Sequence, residues 1–476
     1  MALGVFLWII TLSKVGRSTV ASGGLDYQSS NCGAKPTKRL YKEIFVKKLY
    51  CLIFMFLVSC SDSQSSQPQA DTSSLLKPEN LKYIGAFKFP SGTQGKSRWG
   101  YGGTGLTYYS SGDPDGGEDG YPGSLFGIGH DWHQMVSEIS IPVPVNSKRY
   151  DDLNSAATLQ PFNDITGGLL AKKVEPGSIQ PDKVGGLAYL PPVDGQPEGM
   201  IYWNIFKYYH VMPGDLYSHG RSRLDLSAPQ AEGLWRVGNY SSKKTANYMF
   251  TVPEEWADQY LGGKYIITGR GDGCGNAGTS HGPAMYAIAP YQQCNPLPDK
   301  TELDAIELVM YPASSNYYPD WSPCDEWNGG AWLTSGNKSA VIIVGLKGLG
   351  TSFYGIGGED NCFTSKGYHC DPYEPQLLFY SPQDLADVAV GMKKTYEVLP
   401  YAIMNLSEYF MDGCAQRPES AAFDSKKGIL YVVQGNLDER PVVHVFKIIS
   451  TETTGDLFHQ EYEDEYEEDK TNNVSW

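Results

Sequence analysis

The chain has 476 residues, 41% of them hydrophobic, which supplies a sizeable core and excludes wholesale disorder. Its 53 Gly, 30 Pro and 33 Tyr point to many short strands joined by turns. A net charge of −16 argues against a nucleic-acid partner, because phosphate backbones select a basic surface.

Residues 1–45 fit neither a targeting segment nor a domain, and the expectation is an over-long gene start with translation beginning at Val46. Lys47 and Lys48 then precede a short apolar run ending at Ser59, too short to span a bilayer and right for a signal-peptide core. Leu57-Val58-Ser59-Cys60 resembles the bacterial lipobox. That resemblance implies that 46–59 is a lipoprotein signal peptide and that Cys60 is lipidated after its removal. Residues 60–79 then read as a flexible tether rich in Ser and Gln. The expected location is the bacterial cell envelope, lipid-anchored to a membrane and facing the periplasm or the outside.

From 80 to 450 no long amphipathic helix is visible; a three-strand unit recurs five times. Each unit runs from a strand of small residues to a β-rich strand and then a third alternating strand. The units start at 102–108, 185–189, 247–252, 329–334 and 420–424, with second strands at 124–129, 200–205, 265–269, 340–345 and 428–433. Third strands are predicted at 136–141, 233–237, 284–288, 376–380 and 442–446. Small side chains suit an innermost position where strands crowd an axis, and β-branched or aromatic ones suit strands between packed sheets. The intervals 308–311 and 395–406 have room for outer strands. Residues 81–87 have no inner partner and are predicted to supply the outer strand of the last blade, closing the ring. The fold class is all-β, a β-propeller of about five blades of four antiparallel strands. Residues 451–476 form an acidic, disordered tail by composition.

With Cys60 lipidated, six cysteines remain, which fits an exported disulfide protein better than zinc, since no Cys-x-x-Cys spacing occurs. Six allow fifteen pairings. Proximity favours Cys274 with Cys294 and Cys362 with Cys370, leaving Cys324 with Cys414. The acidic segment 113–120 is the nearest approach to a calcium loop, the one place where a structural Ca2+ is considered.

In a propeller, the loops before innermost strands and those joining second to third strands open on one face. The first set contains Trp99, Tyr101, Lys183, Asp325, Glu326, Trp327, Arg417 and Glu419. The second contains His130, Asp131, Trp132, His133, Tyr208, Tyr209, His210, Arg270, Asp272, Lys347, Gln434 and Asn436. Groups that titrate, hydrogen-bond or stack therefore ring one mouth, as binding loops do on a rigid scaffold. Aromatic faces beside charged groups suit a sugar, with Trp99, Tyr101, Trp132 and Trp327 as platforms and Lys347, Arg417, Glu419 and Gln434 as further contacts. Glycoside hydrolysis would use Glu326 as acid with Asp131 or Asp272 as base. Elimination from a uronate polymer would use Arg270 or Lys347 to neutralise the carboxylate and His130, His210 and Tyr208 to move protons. No metal centre is indicated.

Segments 325–348, 129–134 (Gly-His-Asp-Trp-His-Gln) and 378–382 (Leu-Phe-Tyr-Ser-Pro) resemble uncharacterised secreted bacterial propeller lipoproteins. The architecture is also similar to propeller glycosidases and polysaccharide lyases, at the level of fold alone. The expected function is a surface lipoprotein that binds and cleaves an extracellular polysaccharide. The competing expectations are a non-catalytic glycan-binding or adhesion lipoprotein and a protein-binding propeller scaffold.

Overall fold

The computed structural model describes residues 74–449, apart from 114–115, 117–118, 173–178, 212–213, 273–278, 293–295, 314–315, 320, 358–362, 414–415 and 436–438. The signal segment, Cys60, the tether up to residue 73 and the acidic tail lie outside the described residues. So do Cys274, Cys294, Cys362, Cys414, Asn436 and the side chain of Asp272.

Five antiparallel four-stranded blades follow one another along the chain. Blade 1 comprises Leu106–Tyr109, Ser124–Ile128, Val136–Ser140 and Thr158–Asn163. Blade 2 comprises Lys183–Leu190, Met200–Phe206, His219–Ser222 and Glu232–Val237, with Glu302–Leu303 added in parallel at its edge. Blade 3 comprises Tyr248–Thr251, Ile266–Gly269, Met285–Ile288 and Ala305–Val309. Blade 4 comprises Glu326–Ser335, Lys338–Gly348, Tyr373–Tyr380 and Ala402–Asn405, and Gly271–Asp272 pairs with the start of its inner strand. Blade 5 comprises Arg417–Asp424, Ile429–Gly435, Val442–Ile448 and, from the other end of the sequence, Leu81–Lys88. That last strand pairs antiparallel with Val442–Ile448, so the ring is closed as predicted.

Blade 2 differs from the expectation. Glu232–Val237 is its outer strand, and the third strand is His219-Gly220-Arg221-Ser222. Four short polar residues do not read as a buried strand, yet all four are buried. Their polarity is met internally: His219 Nε2 lies 2.8 Å from Thr268 Oγ1, and Arg221 pairs with Glu232 at 2.7 Å. The outer strand of blade 1 went unread because Pro161 interrupts it, which an edge strand tolerates.

The core lies between blades rather than inside one sheet pair. In the second strand of blade 4, Val341 and Ile343 pack towards blade 3 while Ile342 and Val344 pack towards blade 5. Both faces are buried, which is why 340–345 is a continuous apolar run rather than an alternation. Leu125 and Phe126 divide in the same way between blades 5 and 2. Each such side chain contributes roughly 1.5–3 kcal/mol. At the axis the strands come too close for side chains. A Cβ on Gly105 would lie 2.5 Å from the Gly185 carbonyl oxygen of blade 2, and one on Gly329 would lie 2.8 Å from Ser420 Cα of blade 5. Ser420 Oγ donates to the Gly103 carbonyl at 2.6 Å, tying blade 5 to blade 1.

Candidate functional site

The starts of the inner strands and the loops from second to third strands open on one face, where they enclose a cavity of about 980 Å3. Its floor is made at the starts of the inner strands. Thr104, Asn247, Asn328 and Glu419 sit at corresponding positions in blades 1, 3, 4 and 5, and all four line the cavity. In blades 4 and 5 the register slips there, between Trp327 and Gly329 and between Pro418 and Ser420. Asn328 and Glu419 are thus bulge residues, and a bulge re-aims a side chain that would otherwise follow the pleat. The amides link the blades: Asn247 Nδ2 donates to Asn328 Oδ1 at 3.4 Å, and Asn328 Nδ2 donates to the Pro418 carbonyl at 3.2 Å.

Charge concentrates on this floor. The Arg417 guanidinium pairs with Glu326 of blade 4 through Nη2 and reaches Glu419 through Nε at 3.5 Å. Lys183 of blade 2 pairs with Asp131 of blade 1 and stands 5.9 Å above the Tyr208 ring. Burial pushes the Glu419 carboxyl up to about 7; Arg417 opposes the shift, while Glu326 and Asp131 add to it.

Aromatic groups form the rim. Trp132 is 85% exposed, Tyr101 45% and Tyr208 49%. Tyr101 and Glu439 both adopt left-handed backbone conformations, φ 57° and 66°, and the Tyr101 hydroxyl donates to Glu439 Oε1 at 2.9 Å. Non-glycine residues in that region carry strain, which gathers at functional loops. His130 lies between Tyr101 and Trp132, each ring centroid 5.6 Å away, and burial with the neighbouring His133 and Arg98 lowers its pKa.

The cavity brings together Tyr101, His130, Asp131, Trp132, Lys183, Tyr208, Glu326, Arg417 and Glu419 from the sequence-predicted set. Other members lie elsewhere. Trp99 is in the core, stacked on Phe89 at 4.2 Å, and Trp327 is fully buried. His210 is buried, and Arg270 donates to the carbonyls of Lys207 and Tyr208 at 3.2 and 3.1 Å, holding the loop that presents Tyr208. Gln434 is buried against Met411 and His444. Lys347 is locked to the Asp325 carboxylate at 2.9 and 3.0 Å.

Sequence reading missed Arg98, Thr104, Asn247, Asn328, Ser365 and Glu439, all of which line the cavity. The polar residue directly before Gly329-Gly330 was the available signal for Asn328, since small residues mark the axis. The disulfide expectation is corrected as well. Cys324 joins Cys370, with Cα atoms 6.0 Å apart, so neither Cys324–Cys414 nor Cys362–Cys370 forms. The loop before the inner strand of blade 4 and the insertion before its third strand share one mouth, and that spatial neighbourhood outweighs distance along the chain.

Among the described residues no group of three His, Cys, Asp or Glu stands close enough to hold a metal ion. The acidic segment 113–120 considered for calcium lies partly outside the described residues. Among the described residues no helix is long and apolar enough to cross a membrane.

No family model matches the chain, and no curated protein does. Among solved structures it is similar to Raptor from Chaetomium thermophilum, with a TM-score of 0.27 and 8% identity. The alignment covers 86% of this chain but only 35% of that one, and a likeness this slight carries no functional argument. What the chain is, on its own geometry, is a five-bladed β-propeller.

Proposed function

We propose that the central cavity binds a carbohydrate chain and hydrolyses it, with Glu419 as the acid and Glu326 as the base. The observation that carries this reading is the Glu326–Arg417–Glu419 cluster on the floor of a cavity rimmed by exposed Trp132, Tyr101 and Tyr208. Indole and phenol faces pack on the C–H surface of a sugar ring, while carboxylates accept hydrogen bonds from its hydroxyls. Hydrolysis needs one carboxyl that keeps its proton and one that is ionised. Glu419 gives its proton to the leaving glycosidic oxygen as the C–O bond breaks. Glu326, paired with Arg417, takes a proton from the water whose oxygen forms the new bond to carbon. This reassigns the acid from Glu326, which pairs with the Arg417 guanidinium, to Glu419, whose carboxyl is pushed up by burial.

The elimination reading fits less well, since His210 and Arg270 are buried away from the cavity lining. A second reading, non-catalytic glycan binding, draws on a specific feature: Arg417 already engages both carboxylates, which suits fixed acceptors as well as an acid–base pair.

We also propose that the protein is an exported lipoprotein held through Cys60. The chain joins the propeller at Leu75, which bridges to Ser339 beside the first hairpin turn of blade 4, at the end of the blades opposite the cavity.

The test is to incubate the full-length protein with neutral and uronic-acid polysaccharides while following reducing ends and ultraviolet absorbance together. New reducing ends alone, lost in Glu419→Gln and Glu326→Gln, support hydrolysis. A parallel rise in absorbance marks unsaturated products and overturns it in favour of elimination. Retention of a polysaccharide without product moves the assignment to glycan binding.

A further inference from the structure

The insertion between the second and third strands of blade 4 is the longest loop on the cavity face in that blade, and the acid–base reading leaves it unused. It folds into a two-stranded hairpin, Phe353–Ile356 against Lys366–His369. An isolated two-stranded hairpin is marginal in water, so its fixation needs a cause. The base supplies it. Cys324–Cys370 clamps one side, and Gly350 N–H donates to the Cys370 carbonyl at 2.8 Å. Beneath it, the buried Asp325 carboxylate accepts from Lys347 Nζ, from Gly348 N–H at 3.1 Å and from Ser322 N–H at 3.0 Å.

The held hairpin presents apolar surface to water. Tyr354 is 55% exposed, Ile356 77% and Tyr368 38%. Cross-strand pairing sets Tyr354 opposite Tyr368 and Ile356 opposite Lys366, so these four share one face. The two phenol rings meet edge to face at 5.0 Å, and Lys366 Nζ stands 5.8 Å from the Tyr354 centroid. Ser365, the neighbour of Lys366, lines the central cavity. The hairpin therefore rises from the edge of the cavity, with Ser365 at its base.

We propose that the hairpin is an outlying subsite, and that the ligand is a polymer chain spanning the cavity and the Tyr354–Tyr368 face rather than a mono- or disaccharide. This rests on the carbohydrate reading of the cavity. Exposed phenol rings beside an ammonium group offer stacking and hydroxyl contacts to successive sugar rings, and the disulfide pre-orders them, which lowers the entropic cost of binding.

The experiment takes whichever panel polysaccharide the full-length protein binds or cuts and measures affinity for long and short fragments of it. Tyr354→Ala with Tyr368→Ala alters exposed side chains and is expected to weaken long fragments about 5- to 10-fold while short ones bind as before. The paired replacement Cys324→Ser and Cys370→Ser is expected to weaken long fragments in the same sense. Equal affinity of the unaltered protein for long and short fragments overturns the subsite and leaves the cavity reading standing. Tyrosine variants that bind long fragments normally also overturn it, and would reassign the aromatic face to a protein partner. Failure of the unaltered protein to bind any panel member overturns both readings.

Discussion

Glu419 folds over Gly435, the last residue of the neighbouring strand, in the space that a side chain at 435 would fill. A Cβ built on Gly435 would lie 2.5 Å from Glu419 Cγ and 2.6 Å from Oε1. The bulge at Glu419 and the missing side chain at Gly435 act together, one turning the carboxyl into the cavity and the other making room for it.

Gly435→Ala should therefore displace Glu419 without touching the ligand. Overpacking of this kind costs about 1–3 kcal/mol, which a five-bladed ring with a buried core withstands. Product formation, or glycan retention if the protein is a binder, should fall nearly as far as in Glu419→Gln. Thermal melting with parallel activity would separate lost position from lost fold. Full activity in a folded Gly435→Ala protein would remove Glu419 from the site.

Glu419 also gives stability a pH signature. Its folded carboxyl sits at about 7 against an ordinary 4.5, so the unfolded chain ionises first as pH rises. Its contribution is intact below pH 4.5 and is lost progressively up to about pH 7. Glu419→Gln lacks that loss. The variant should melt with the parent protein at acid pH and above it at alkaline pH, by up to about 3 kcal/mol. Calorimetric scans of both proteins across this range would show it, and melting curves that stay parallel would refute it.

The seam of the ring has the opposite dependence. His444 is buried and its pKa is lowered to about 3; Nε2 meets Gln434 Oε1 at 2.9 Å, and Nδ1 meets the hydroxyl of Tyr83 on the closing strand at 3.1 Å. Burial depresses the folded value below the ordinary 6.5, so the unfolded chain binds the proton first. Stability is complete above 6.5 and falls as pH drops towards 3. His219 in blade 2, also lowered to about 3, acts in the same sense. The protection of the Leu81–Lys88 amides against exchange, relative to their intrinsic rates at each pH, should fall on acidification before that of the second strand of blade 4. A uniform loss of protection across both would place the acid sensitivity elsewhere.

The second strands were legible in the sequence because they are buried on both faces and so appear as unbroken apolar runs, as in 340–345 and 429–433, and the closing strand because it had no inner partner of its own. The third strand of blade 2 was not, because His219 is buried against Thr268 of blade 3 and Arg221 against Glu232 of the next strand, pairings that no apolar run announces. For the site, knowing which loops share a mouth gave Glu326, Arg417 and Glu419 together, since that follows from topology. It could not tell Tyr101 and Trp132 from Trp99 and Trp327, because exposure depends on which ring meets a partner such as Phe89. Nor could it reveal the bulges, which have no signature beyond a polar residue beside small ones.

Arg417 provides the sharpest separation between acid–base chemistry and simple binding. Its guanidinium faces Glu326 and Glu419, and it is the opposing influence that keeps the Glu419 carboxyl from rising above about 7. Replacing it with Gln leaves two carboxyls with no cation between them, so one must hold its proton more tightly. In a hydrolase, Arg417→Gln should shift the alkaline limb of the pH–rate profile upward, because the acid keeps its proton longer. The maximum rate should drop by about ten- to a hundredfold. In a binding protein the same variant should weaken retention by a similar factor at every pH without moving a profile. Lys at this position should rescue only in part, since an ammonium group cannot present the planar fork that reaches both carboxylates. A variant whose pH profile coincides with that of the parent, at any rate, would exclude the Glu326–Arg417–Glu419 cluster as the acid–base centre.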